Sequence, residues 1–167
     1  MSQTHDAIVI GAGPAGASLA LRIAQQGRTC LLIDGATFPR PKVCGEGLMP
    51  HGLAALAEVG VEVGERGEAF CGIRYRLGDG TLAQADFPDG GRGVGLERSW
   101  LDARPVELAQ AEERVEVRLG TWVRNPTFPA QPGQLAEVEL EGTIARAPVL
   151  IAADGCRSPT RRAAGLE

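Results

Sequence analysis

Asp6-Ala7-Ile8-Val9-Ile10-Gly11-Ala12-Gly13-Pro14-Ala15-Gly16 opens the segment on which the reading of this chain turns. Ala7 to Ile10 is an apolar run with the length of a buried parallel strand, and it leads directly into glycines. Ser18 to Gln26 then reads as a helix, with Leu19 and Ile23 on one face and Arg22 and Gln26 on another. Gly27 is placed to end it. Thr29 to Ile33 forms a second apolar strand, closed by the carboxylate of Asp34. Strand, glycine turn, helix, strand and acid follow one another in the order of a dinucleotide-binding βαβ unit.

Each of these residue types has a physical task at its position. Gly11 permits the tight turn, Gly13 admits a pyrophosphate close to the backbone, and Gly16 lets the helix approach the strand. Ala15 completes the set of candidate cradle residues. The helix N-terminus contributes free N–H groups and about half a positive charge toward a diphosphate. Pro14 falls in the first turn, where its missing N–H costs little. Asp34 lies 18 residues beyond Gly16, near the separation at which an acid reaches a ribose hydroxyl. A carboxylate there repels a 2′-phosphate, which favours FAD or NAD over NADP. The competing reading, a glycine-rich loop before an ordinary helix, leaves Asp34 without a purpose.

At 167 residues the chain suits one domain, with a core of ordinary size. Hydrophobic residues make up 44% and the net charge is −4, which argues against a nucleic-acid surface. Arg157, Arg161 and Arg162 form the one tight basic group and read as a solvated face. No apolar run has the length of about 20 residues that a bilayer span needs. Residues 1–6 lack both a basic region and an apolar signal core, so a cytoplasmic location is expected. Cys30, Cys44, Cys71 and Cys156 are scattered, and His5 and His51 are the only histidines, which disfavours a metal site and a disulfide framework. Cys30 and Cys71, within or at the start of strands, are expected as small buried thiols.

Beyond Asp34, the loop from Phe38 to Pro50 contains prolines that restrict its first half and glycines that free its second. A short helix starts near Pro50 or His51 and carries Leu53, Leu56 and Ala57. Cys71–Tyr75 and Thr81–Phe87 read as a hairpin about Leu77-Gly78-Asp79-Gly80, in a sheet separate from the first two strands. Ser99-Trp100-Leu101-Asp102 resembles a capping box and predicts a helix to about Glu113, kinked or late-starting because of Pro105. Val115–Leu119, extended through Arg124, then Gln134–Leu140 and Thr143–Ile151 predict a three-stranded antiparallel meander, with a loop over 125–133. Val149–Ala152 reads as a buried strand returning to the main sheet and ending at Ala153-Asp154-Gly155.

Taken together, these stretches resemble the FAD-binding domain, of glutathione-reductase type, of the p-hydroxybenzoate hydroxylase and geranylgeranyl reductase superfamily. The fold this implies is α/β: a Rossmann-like FAD-binding domain with an antiparallel β-meander. Gly11, Gly13, Gly16 and Asp34 match the first fingerprint, although many members carry Glu at the acid position. Asp154 and Gly155, with Ser158 and Arg161, match the Asp-Gly motif near the FAD pyrophosphate and, in hydroxylases, near the nicotinamide nucleotide. Arg98, with Leu101 and Asp102, matches the helix whose first residue contacts FAD, and Val123 the position whose backbone meets adenine. Lys42-Val43-Cys44-Gly45-Glu46-Gly47-Leu48 is similar to the Lys-x-Cys-Gly element of the geranylgeranyl-reductase-like branch, which lies along the flavin. Cys44 there is either a redox or substrate-side thiol or a small side chain that fits beside the ring.

The resemblance implies a flavin-dependent reductase or monooxygenase using FAD, with NAD(P)H as electron donor. Superfamily members are much longer and carry a further Gly-Asp motif and a substrate sheet, to which residues 70–90 would contribute. The expectation is therefore an N-terminal portion forming one FAD-binding domain over 1–167, completed by a second chain or inactive alone. The alternative is a non-catalytic or truncated dinucleotide-binding module. No general acid or base stands out, no metal site is expected, and the substrate is not readable.

Overall fold

The computed structural model describes residues 2–44, 46–129, 131 and 133–166. In chain order the elements are β1 (Ser2–Thr4), β2 (Ala7–Ile10), α1 (Pro14–Gln25), β3 (Cys30–Asp34), β4 (Gly47–Leu48), α2 (Pro50–Glu58) and β5 (Glu68–Phe70). They continue with β6 (Gly72–Arg76), β7 (Leu82–Asp86), β8 (Gly93–Gly95), α3 (Arg98–Ala111) and β9 (Val115–Leu119). The last are β10 (Arg124–Thr127), β11 (Ala136–Leu140), β12 (Thr143–Ala147), β13 (Val149–Ala152) and α4 (Pro159–Ala163). The chain divides into two compact units, Met1–Arg40 with Leu101–Glu167, and Pro41–Trp100.

The first unit is built on a parallel sheet of order β13-β2-β3-β9. Ile8, Ile10, Leu31 and Ile33 point to one face, where Val138, Leu140, Ala145 and Ala147 of a second sheet close the core over them. That second sheet has the order β1-β12-β11-β10. Helix α1 packs against β2 and β3 and turns Gly16, Ala17, Ala20, Leu21 and Ala24 inward. The inward face is thus set by small residues at helical spacing, which allow close approach to the strands. Leu19 and Ile23, expected together on one face, are only half-buried and flank the inward one.

Several boundaries differ from expectation, each for an identifiable reason. Val115–Leu119 belongs to the parallel sheet, pairing Val115 with Cys30 and Leu119 with Asp34. Its alternation reflects an edge position, half-covered, which a sequence cannot tell from a meander strand. The meander is instead β10-β11-β12; β10 runs from Arg124, expected as strand, through residues 125–127, expected as loop, while 120–123 are not strand. Ser2–Thr4, unassigned by its polar sequence, pairs in parallel with β12. β13 returns to the main sheet beside β2 as expected, but as an edge strand with Val149 51% exposed. Helix α3 starts on time at Arg98 and accommodates a buried Pro105 in its interior. Ser99, expected to open the helix as its cap, lies instead within it, one residue past the start, and its hydroxyl donates to the Glu97 carboxylate at 3.5 Å.

In the second unit β8 is the centre of a small antiparallel sheet, β4-β8-β5. Gly93 is required there by close packing, since a Cβ would lie 2.4 Å from Cζ of Phe70. Phe70 in turn meets Phe87, with ring centroids 5.6 Å apart. The expected hairpin is β6-β7, a separate two-stranded sheet whose turn is closed by Leu77 N–H on Thr81 and by Asp79 accepting from Thr81. Cys71, expected to be buried, is exposed just before β6.

Candidate functional site: a glycine cradle beside an acid

Strand β2 ends against a turn shaped by backbone contact. Gly11 has φ +104°, its N–H donates to the Ile33 carbonyl at 2.7 Å, and a Cβ there would stand 2.3 Å from the Ala153 carbonyl oxygen. A Cβ on Gly16 would be 1.8 Å from the Gly11 carbonyl oxygen. Both positions are closed to any larger residue. Gly13 differs, because the nearest atom to a Cβ there is Nη2 of Arg40, 3.8 Å away. The turn is therefore packed on its sheet side and open at Gly13, where α1 begins with Pro14 in its first turn and no side chain capping it. Ala15 is exposed beside this opening.

Asp34 closes β3 with its side chain 15% exposed. Its Oδ2 accepts from the Ala12 N–H at 2.7 Å and its Oδ1 from the Ala36 N–H at 2.8 Å. The carboxylate thus ties the glycine turn to the loop after β3, and each oxygen keeps a lone-pair direction for a further donor. Arg40 lies between two acids, its Nη2 3.9 Å from Asp34 and 4.0 Å from Asp102, whose side chain is wholly buried. Phe38 backs the guanidinium at 4.9 Å. Sequence reading passed over Arg40. The available signal was Asp102, an acid on the inward side of a helix, which calls for a cation partner.

On the other side of the parallel sheet, Ala153 N–H donates to Ile10 at 2.7 Å, bringing the Asp154-Gly155 turn to the glycine loop. Burial pushes the Asp154 carboxyl up, but hydrogen bonds from Ser158 and Thr160 outweigh it and hold its pKa below the ordinary value. Its Oδ2 accepts from Thr160 N–H at 3.1 Å, and Ser158 caps α4 by accepting from Arg161 N–H at 2.8 Å. Gly155, at φ +87°, is exposed. Val123 is not in a strand; it is half-buried and packs on the cluster of Ile8, Leu31 and Val138.

In the second unit, Gly45 lies outside the described residues, and Cys44 before it is exposed. Glu46, at φ +57°, takes hydrogen bonds from Leu96 N–H at 2.7 Å on its carbonyl and from Arg98 N–H at 3.4 Å on its carboxylate. The loop bearing Cys44 is thereby fastened beside the half-buried Arg98, although far apart in sequence. The first unit gathers Gly11, Gly13, Gly16, Asp34, Asp154 and Gly155 at the carboxyl ends of β13, β2 and β3, where open α/β sheets bind ligands. An opening at Gly13, an uncapped helix start, a neighbouring cation and an acid with spare acceptor capacity fit the ADP half of a dinucleotide. Among the described residues no helix is long and apolar enough to cross a membrane.

Comparison with known proteins agrees with this geometry. Residues 6–42 match the FAD binding domain family. The chain is 32% identical over 171 residues to the menaquinone reductase of Mycolicibacterium smegmatis, covering 99% of this chain and 41% of that protein. It superposes on a geranylgeranyl bacteriochlorophyll reductase-like protein from Thermoplasma acidophilum with TM-score 0.80 and 26% identity, over 100% of this chain and 43% of the other. The p-nitrophenol 4-monooxygenase of Pseudomonas putida gives TM-score 0.83 and 25% identity, over 99% and 44%. The chain thus spans about two fifths of the length of these relatives. Over nearly its whole length the chain is thus similar, in sequence and in fold, to a part of longer reductases and monooxygenases, and its first βαβ unit matches the FAD binding domain family.

Proposed function

We propose that the chain holds FAD in the cradle formed by β2, α1 and β3 and forms the flavin-binding part of a geranylgeranyl-reductase-like oxidoreductase. The observation that carries this reading is a glycine turn sealed by backbone at Gly11 and Gly16 yet open at Gly13, beside the Asp34 carboxylate. The diphosphate would lie against Gly13 and Ala15 at the start of α1, with the Arg40 guanidinium opposing its charge. Asp34 would accept from a ribose hydroxyl through the lone pairs its two backbone donors leave. Asp154 and Gly155 border the same opening, and the Val123 backbone would face the adenine. For Cys44, Gly45 and Arg98 a role toward FAD rests on the family resemblance alone.

Bound FAD would supply reversible two-electron chemistry, while the chain's residues supply binding and orientation. The relatives named menaquinone reductase and geranylgeranyl reductase-like support reduction of an isoprenoid quinone or lipid. The likeness to a p-nitrophenol 4-monooxygenase is the observation favouring the second reading, oxygen insertion into an aromatic ring. NAD(P)H as electron donor belongs to the same proposal, supported by the match at Asp154-Gly155. The first test is titration of the purified chain with FAD, followed by visible absorption and flavin fluorescence. Saturable binding, competed by ADP, is expected. Absence of both FAD and ADP binding overturns the reading. In a longer protein that carries this part together with the portion its relatives add, anaerobic electron transfer from NAD(P)H to a prenylated quinone is expected for the reductase, and oxygen uptake with a hydroxylated product for the monooxygenase.

A further inference from the structure

Trp122 is 69% exposed, an unusual position for the largest apolar side chain in a protein. Its inner side is nonetheless fixed by contact with Gly35. A Cβ on Gly35 would stand 2.6 Å from both Cδ2 and Cε2 and 2.8 Å from Cε3 of the indole. Cδ2 and Cε2 form the bond shared by the two rings, so Gly35 meets the middle of the ring face and not its edge. Gly35 is thus a glycine because of the indole. Two backbone hydrogen bonds hold this arrangement, from Thr121 N–H to the Asp34 carbonyl at 3.0 Å and from Gly120 N–H to the Ala36 carbonyl at 3.1 Å. The ring is therefore clamped to the residue directly after Asp34, with its opposite face open to solvent.

On the reading given under Proposed function, Asp34 receives the adenosine ribose, and a base is joined to that ribose by a single bond. We infer that the open face of Trp122 is the platform on which the adenine stacks. A flat, rigid aromatic face costs little entropy on binding, and a purine presents the matching π-surface. This assigns adenine binding to a side chain, where the family resemblance assigns only the backbone of Val123. It also accounts for a tryptophan that closes over Gly35 yet remains mostly exposed.

The test uses the full chain carrying Trp100→Phe, in which Trp122 is the sole tryptophan. ADP at saturation is expected to quench or shift the Trp122 emission. Trp122→Ala is expected to weaken ADP about tenfold, within the range that base–aromatic stacking supplies, whereas Trp122→Phe should recover most of that loss. Gly35→Ala should weaken ADP by displacing the indole, and should add little when Trp122 is already Ala. Thermal melting of each variant confirms that the fold is retained, as the exposure of Trp122 leads one to expect. If Trp122→Ala binds ADP as tightly as the parent, or saturating ADP leaves the emission unchanged, the stacking role is refuted while the dinucleotide site stands. If the parent chain binds neither ADP nor FAD, the dinucleotide site and the stacking role fall together.

Discussion

On the proposed reading Asp34 would do two jobs at one position, and that changes what its removal measures. Its carboxylate holds the Ala12 and Ala36 N–H groups as well as facing the opening at Gly13. Asp34→Ala should therefore weaken ADP by about 1.5–3 kcal/mol, the worth of a hydrogen bond to a charged group. It should also lower stability by about 1–3 kcal/mol through the two N–H groups left without partners. Isothermal titration and thermal melting on the same variant separate the two effects, and unchanged ADP affinity would remove Asp34 from the site. Asp154 gives a pH signature of known sign. Its pKa in the folded chain lies below its ordinary value of 3.8, so its contribution to stability is present above that value and lost as pH falls through the lower, folded one. Ser158→Ala should flatten that acid limb in melting temperature measured against pH. Cys30, whose thiol burial pushes up to about 12, should resist alkylation in the native chain at pH 8, while the exposed Cys44, Cys71 and Cys156 react. Mass spectrometry after brief treatment with N-ethylmaleimide counts the modified thiols.

At the scale of the element, the glycine turn separates folding from binding. Gly11→Ala places a Cβ 2.3 Å from a carbonyl oxygen at a φ of +104°, so the turn itself must move. A loss of about 2–5 kcal/mol is expected, combining backbone strain with overpacking. Gly13→Ala meets nothing closer than 3.8 Å and has ordinary backbone angles, so it should cost less than about 1 kcal/mol of stability. Its methyl group would nevertheless occupy the approach of the diphosphate, and FAD and ADP affinity should fall at least about tenfold. A Gly13→Ala chain that melts normally and binds ADP as before would place the ligand elsewhere. Helix α1 carries the same lesson in its packing. Its inward face follows the small residues Gly16, Ala17, Ala20 and Ala24, because the distance to β2 and β3 is set by the glycine turn before it.

For the whole molecule, the groups of the first unit that fit a cofactor gather where the adenosine half would lie. On the proposed reading Gly13, Asp34, Arg40 and Trp122 would all belong to that half, so ADP should compete with FAD at an affinity within about tenfold of the whole cofactor, since 1.4 kcal/mol corresponds to that factor. FAD binding several orders of magnitude tighter than ADP would show that flavin contacts dominate in this chain. The parallel sheet also has β13 at its edge, with Val149 exposed. An unprotected edge with an apolar residue favours pairing between chains. Sedimentation velocity should show association that rises with concentration and diminishes in Val149→Lys. Sedimentation independent of concentration would refute this.

The βαβ unit, its glycines and Asp34 were legible in the sequence because they are local. Strand, turn, helix and acid interact within residues 6–34, and their residue types follow from backbone sterics and charge. The two-stranded hairpin and α2 were legible for the same reason, each being closed by its own turn or run of apolar residues. What only the tertiary structure decided is what depends on partners distant in sequence. Val115–Leu119 alternates equally well as an edge of the parallel sheet or as a meander strand, and pairing with Cys30–Asp34 settles it. Ser2–Thr4 has no intrinsic strand signal and is extended because β12 offers it an edge. Arg40 was one basic residue in a proline-rich loop until folding set it between Asp34 and Asp102. Trp122 was one aromatic residue in an expected strand extension until the hydrogen bonds from 120 and 121 laid its ring on Gly35. Local sterics write themselves into residue type, whereas a contact across tens of residues leaves no periodic trace and exists only once the chain has closed on itself.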